Sequence, residues 1–202
     1  MKKFPISVWD WSEMIQFIRR NYSYRIEDFA KSFSENQFVS KTWLVERLSL
    51  HSICDVPDKT IWILGSWYGT LIVPLLYKNI PKIKEINLVD YDEENLIIAK
   101  QLFGTLVKTH VKDINFDLDY LKSDIIINTS CEHMYPMKDY NFSGLCVFQS
   151  NNFDKEPAHI NCVNSLQEFK NQSGLSKIDF EGEINFHKYD NNYKRYMLIG
   201  EK

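Results

Sequence analysis

The stretch Thr60-Ile61-Trp62-Ile63-Leu64-Gly65-Ser66-Trp67-Tyr68-Gly69-Thr70-Leu71-Ile72-Val73 decides the fold. Its apolar run reads as a buried strand, Gly65 to Gly69 as a tight turn, and the residues after it as the start of a helix. Further along, Glu85-Ile86-Asn87-Leu88-Val89-Asp90 reads as a second strand that ends on an acid. Strand, glycine turn, helix and a strand with a terminal carboxylate make a site for the adenosine half of a cofactor. The turn lets a ligand approach the backbone, and the carboxylate accepts hydrogen bonds from ribose hydroxyls.

Outward from this unit, strands and helices alternate. Strands are expected at 60–64, 85–89, 107–111, 124–128 and 144–149, with helices most clearly at 70–78 and 92–103. Pro74 falls early in the first of these helices, where a missing N–H costs least. This alternation predicts a doubly wound, mostly parallel sheet. Two strand-like segments close the chain, Lys177–Gly182 and Tyr193–Gly200, with Asp190-Asn191-Asn192 suited to a hairpin turn between them.

The first fifty-odd residues differ. Trp11, Met14, Ile15 and Ile18 share one helical face, and Ile26, Phe29, Ala30 and Phe33 share another. Ser40 reads as the cap of a third helix carrying Leu44 and Leu48. With a boundary turn at Asp55-Val56-Pro57-Asp58, the expected organisation is a helical extension over 1–57 and a cofactor-binding domain over 58–202.

Of the 202 residues, 44% are hydrophobic, ample for one core, and the net charge of -3 leaves no electrostatic footprint for nucleic acid. The amino terminus has two lysines but no apolar run of the signal-peptide kind. No stretch approaches the ~18–20 apolar residues of a membrane span. Cys54, Cys131, Cys146 and Cys162 form no CxxC pair and match no zinc spacing, so reduced thiols in a cytoplasmic protein, and no metal, are expected.

On these motifs, residues 58–202 resemble the class I S-adenosylmethionine (SAM)-dependent methyltransferases, in motif style those acting on small molecules. That family's first loop is commonly GxGxG; here Gly65-Ser66-Trp67-Tyr68-Gly69 keeps the outer glycines and places Trp67 at the middle one. The resemblance implies a seven-stranded sheet with a C-terminal antiparallel hairpin strand, and SAM as cofactor. It implies that Gly65 and Gly69 pass the methionine part of SAM, with Ser66, Trp67 and Tyr68 in the same loop, and that Asp90 holds the ribose. Tyr91 either lies against adenine or packs. Asp113 and Ile114 fit the place of the adenine acid and its apolar neighbour, Asp113 being otherwise a turn carboxylate. Trp67 obstructs the close approach a pyrophosphate needs, whereas SAM has no phosphate. Trp67 and Tyr68 read otherwise as aromatics on an empty loop.

The segment Asp124-Ile125-Ile126-Ile127-Asn128-Thr129-Ser130-Cys131-Glu132-His133-Met134 is a strand running into a polar cluster. Such clusters beyond the carboxyl ends of parallel strands face the ligand, which places Asn128 at the cofactor. The Glu132-His133 pair resembles that of small-molecule O-methyltransferases, not the Pro-Pro loop of many amino-group DNA methyltransferases. His133 is the candidate general base, with Glu132 orienting its ring or binding a substrate cation; otherwise the pair caps a helix. Cys131 is expected to be a buried thiol. Asn151, Asn152, His159, Asn161, Asn164, Lys194 and Arg195 are further candidates for the pocket, and Trp43 or Tyr24 for an aromatic wall, Trp43 reading otherwise as core. The expected activity is methyl transfer to O or N of a small molecule. Another SAM-using reaction on the same fold, such as aminopropyl transfer or SAM cleavage, and a binding protein that lost the cofactor are the alternatives.

Overall fold

The computed structural model describes residues 8–117, 120–186 and 193–202. Three helices come first: α1 (Val8–Asn21), α2 (Ile26–Lys31) and α3 (Glu35–Ser49). The β/α part follows with β1 (Lys59–Leu64), α4 (Ile72–Asn79), β2 (Ile83–Asp90), α5 (Glu93–Phe103), β3 (Val107–Val111) and the short α6 (Ile114–Asp117). It continues with β4 (Leu121–Asn128), β5 (Phe142–Asn151), α7 (Leu166–Ser173), β6 (Lys177–Asn185) and β7 (Lys194–Glu201).

The seven strands make one sheet in the order β3-β2-β1-β4-β5-β7-β6. The first five run parallel, and β7 is antiparallel to both β5 and β6. The order reverses between β1 and β4, which opens a crevice beyond the carboxyl ends of the strands. The turn expected at Asp190–Asn192 lies outside the described residues.

Side chains alternate along each strand, so the sheet buries both faces. Ile61, Ile63, Ile86, Leu88, Ile125 and Ile127 pack under the extension and α4 and α5. Leu64, Val89, Ile126, Phe148 and Tyr196 form the other layer, with Phe169 of α7. Met14 and Ile18 of α1, Phe29 of α2 and Leu44, Val45 and Leu48 of α3 belong to the first of these layers. The extension therefore shares its core with the sheet. No helix among the described residues is long and apolar enough to cross a membrane.

Two local expectations change. Ser40 caps nothing: α3 starts at Glu35, and Ser40 lies buried inside it, with its carbonyl accepting from Gln149 Nε2 at 2.9 Å. Helix α7 was not foreseen, although Ser165 accepts from Glu168 N, half of a capping box.

Candidate cofactor and acceptor site

A cavity of about 830 Å³ opens at the crevice. Gly65, Trp67, Asp90, Tyr91, Asp113 and Ile114 line one part of it. Glu132, His133, His159 and Arg195 line another, and Arg25, Asp28 and Lys31 come from the extension.

The glycine loop is built around positive φ. Gly65 has φ 59° and Gly69 φ 67°, and Trp67 itself sits at φ 51°. The tryptophan thus adopts the left-handed backbone that a middle glycine would take without cost. Two carboxylates hold it there. Asp90 Oδ2 accepts from Trp67 N at 2.7 Å, and Asp28 Oδ2 accepts from Trp67 Nε1 at 3.0 Å and from the Tyr68 hydroxyl at 2.6 Å. A side chain at Gly69 would meet Val73 at 3.1 Å and Leu88 at 3.3 Å, so the loop stays pressed onto the sheet.

Asp90 ends β2, only 6% exposed. Its other oxygen accepts from Asp92 N at 3.1 Å. Burial pushes its carboxyl above the ordinary value, against the pull of the N–H groups of Asp92 and Trp67 and the side chain of Asn95. A carboxylate offers about four lone-pair sites. With these two backbone donors and the Asn95 side chain bound, it keeps capacity for a ligand hydroxyl. Next to it, Asp92 caps α5, accepting from Glu94 N at 2.9 Å, and pairs with Arg25. Tyr91 lines the cavity but is 77% exposed, a rim residue. Asp113 Oδ1 accepts from Asn115 N at 2.9 Å, starting α6 and placing buried Ile114 against the cavity.

Four residues expected at the cofactor stand elsewhere. Asn128 is fully buried and does not line the cavity. Its amide faces the sulfurs of Met134 and Met137 and accepts from Ser130 N, because the strand turns into its loop at that residue. Tyr68 is also fully buried, packed on Phe29 at 5.1 Å between ring centroids. Ser66 and Gly69 border a second, small cavity behind the loop, with Lys41 and Thr70. Trp43 packs on Phe180 and Tyr24 is exposed beside Glu94, so neither walls the large cavity.

His133 lines the cavity, with Nδ1 3.1 Å from the Ala158 carbonyl oxygen. A carbonyl only accepts, so the proton sits on Nδ1 and Nε2 carries the free lone pair. Glu132 does not orient this ring. It is 3% exposed, and its Oε1 accepts from Asn151 Nδ2 at 2.5 Å and lies 3.5 Å from Arg195. Arg195 in turn donates to the Thr129 carbonyl at 3.0 Å, and Lys194 pairs with Glu183. Asn161 and Asn164 do not line the cavity, whereas His159 does. Burial pushes the Cys131 thiol well up, as expected of an inert core cysteine.

Sequence reasoning missed Asp28, which reaches the glycine loop through the packing of α2, and Arg25, which pairs with Asp92 and Glu94.

No protein-family model and no curated protein sequence matches the chain. Solved structures do. The plantazolicin methyltransferase BamL, in complex with a triazolic desmethylPZN analog and S-adenosylhomocysteine (SAH), matches at TM-score 0.62 and 11% identity, over 96% of this chain and 97% of that one. Magnesium protoporphyrin IX methyltransferase from Synechocystis PCC 6803, with bound SAH, matches at 0.59 and 14%, over 94% and 100%. The N-methyltransferase NodS from Bradyrhizobium japonicum WM9 matches at 0.58 and 13%, over 83% and 99%. Sheet order, terminal hairpin and these likenesses agree: the chain has the class I SAM-dependent methyltransferase fold.

Proposed function

We propose that this protein is a SAM-dependent methyltransferase that methylates O or N of a small-molecule acceptor. The observation that carries the reading is one cavity that joins two chemistries. Its Gly65–Trp67–Asp90 part suits an adenosyl ligand, and its Glu132–His133–His159 part suits an acceptor. A volume of about 830 Å³ lies within the usual range of roughly 300–1,000 Å³ for ligand pockets.

The residues fit SAM on their own chemistry. Asp90 is a buried acceptor with spare lone-pair capacity at the end of β2, and Ile114 supplies an apolar surface for a flat ring. Bound SAM supplies an electrophilic methyl group on a sulfonium. The protein's part is to hold the acceptor atom in line with it and to exclude water. His133 Nε2, with its lone pair free, takes the proton from a hydroxyl or amine acceptor. Arg25, Asp28 and Lys31 reach the cavity from the extension, and residues 25–37 accordingly act as its cover and select the substrate.

The test is a thermal melt with SAH, followed by product analysis. A ligand at 100 times its Kd adds about 2.7 kcal/mol to stability. Release of SAH from SAM with an acceptor supports methyl transfer. Release of methylthioadenosine assigns the protein to the other SAM chemistry, for which Trp67 at the middle-glycine place is the structural motive. No shift with SAM or SAH overturns the reading in favour of a binding protein without the cofactor.

A further inference from the structure

We propose that Glu132, His133 and His159 form a site for a divalent transition-metal ion in the acceptor half of the cavity. One ligand atom from each of the three lies within 4.8 Å of the others. Glu132 and His133 are neighbours in sequence, and distant His159 is tied to them by the backbone: the N–H groups of Ile160 and Asn161 both donate to the Glu132 carbonyl, at 2.9 and 3.0 Å. This pins the 158–161 segment beside Cys131–His133 and brings the two imidazoles to 4.5 Å between ring centroids.

Three features make the cluster a ligand set and not a chance meeting of side chains. First, Glu132 Oε2 is buried and has no hydrogen-bond partner among the described residues, on a side chain only 4% exposed. A buried polar oxygen left bare is costly, so this one is open to a further partner. Arg195 pairs with the other oxygen, at 3.5 Å, and its own Nε has no hydrogen-bond partner among the described residues. Second, both imidazoles are held through Nδ1 by backbone carbonyls, His133 by Ala158 at 3.1 Å and His159 by Phe153. Metal-bound histidines are commonly fixed in this way, with the other nitrogen left free to ligate. Third, two imidazoles and one carboxylate suit zinc, iron(II), cobalt(II) or manganese(II) and leave coordination positions open.

Ligand atoms about 2.1 Å from a common ion in tetrahedral array lie roughly 3.4 Å apart. The widest gap must therefore close by about 1.4 Å, within reach of two half-buried histidines. All three residues line the cavity shared with Gly65 and Asp90, so the open positions can take an oxygen or nitrogen of the acceptor. This acceptor role rests on the methyltransferase reading; the metal site does not. It also reassigns His133, since a nitrogen that ligates a metal cannot act as a base.

Chelator-treated full-length protein, titrated with Co(II), decides the matter through ligand-field absorption in the visible and isothermal titration with Zn(II). One equivalent is expected to bind, and His159→Ala and His133→Ala should each weaken binding at least tenfold. His159→Ala changes a half-exposed loop residue, and a circular-dichroism melt checks that it folds. Absence of one-equivalent binding overturns the proposal, and so does binding that both substitutions leave unchanged. SAH titrated into the same metal-free protein keeps the two readings apart. SAH binding without metal binding sinks the metal site alone, and metal binding without SAH binding sinks the acceptor role alone.

Discussion

Replacing Asp90 with alanine should loosen the cofactor loop and weaken SAH binding together. The carboxylate accepts from Trp67 N at 2.7 Å and from Asp92 N at 3.1 Å, so it clamps the loops that follow β1 and β2 together. Hydrogen bonds to a charged group contribute about 1.5–3 kcal/mol each. Part of that gain offsets the burial that raises the Asp90 pKa, so a net loss of about 2–4 kcal/mol is expected. For a chain of this length each kcal/mol moves Tm by about 2–4 °C, which makes the fall on the order of 4–16 °C. Trp67 should suffer most, because its left-handed backbone at φ 51° needs the anchor. Lost ribose bonds add a penalty of roughly 10–150-fold in Kd for SAH. Asp90→Asn keeps one carbonyl oxygen and should recover part of the stability but little of the affinity. Scanning calorimetry and isothermal titration read the two effects separately. A folded Asp90→Ala protein with the parent Tm would refute the clamp. Unchanged SAH affinity would remove Asp90 from the ribose site.

Trp67 borders the cavity, so its fluorescence contribution, isolated against Trp67→Phe, should change when SAH is added; identical ligand-dependent changes in both proteins place the indole away from the ligand. In metal-free enzyme, His133→Ala should spare SAM binding and slow single-turnover methyl transfer about 10²–10⁴-fold, whereas a destabilised but fully active variant excludes the base. Arg25→Gln should cost about 1 kcal/mol, since the Arg25–Asp92 pair that ties α2 to α5 is partly solvated. Burial pushes the Asp92 carboxyl up, but Arg25 outweighs it and the net shift is downward. The stability from this pair is therefore present above the unfolded carboxylate value and fades as pH falls through the lower folded one. Urea melts should show the gap between parent and Arg25→Gln closing only at strongly acid pH; a gap independent of pH assigns the loss to packing.

The β/α run was legible because its signals are local. Apolar runs such as Ile125–Ile127 mark strands buried on both faces, and Gly65 and Gly69 mark a turn with positive φ. Asp90 stood out because a carboxylate directly after Leu88-Val89 has to sit at a strand's end. Even the antiparallel closing hairpin showed in the pattern of the last segments. What failed was everything set by direction in space. Asn128 and Tyr68 occupy motif positions, yet one points into a methionine cluster and the other under α2, because a residue's offset along a strand or loop does not fix where its side chain aims. Tyr24 is offered as a wall by its aromatic character alone, and packing puts it elsewhere, whereas Trp43 takes the core place that was its other reading. Asp28 gained its role only when α2 docked over the glycine loop. His159 had been noted as an ordinary loop candidate, with no sign that it meets Glu132 and His133. That meeting depends on two backbone hydrogen bonds across a long loop, and such bonds form only once β4 and β5 lie side by side. The sequence by itself thus determined the sheet and the edge of it at which the cavity opens, through periodicity and turn chemistry acting over a few residues. The tertiary structure decided which side chains converge there, because convergence is a property of packed elements and not of spacing along the chain.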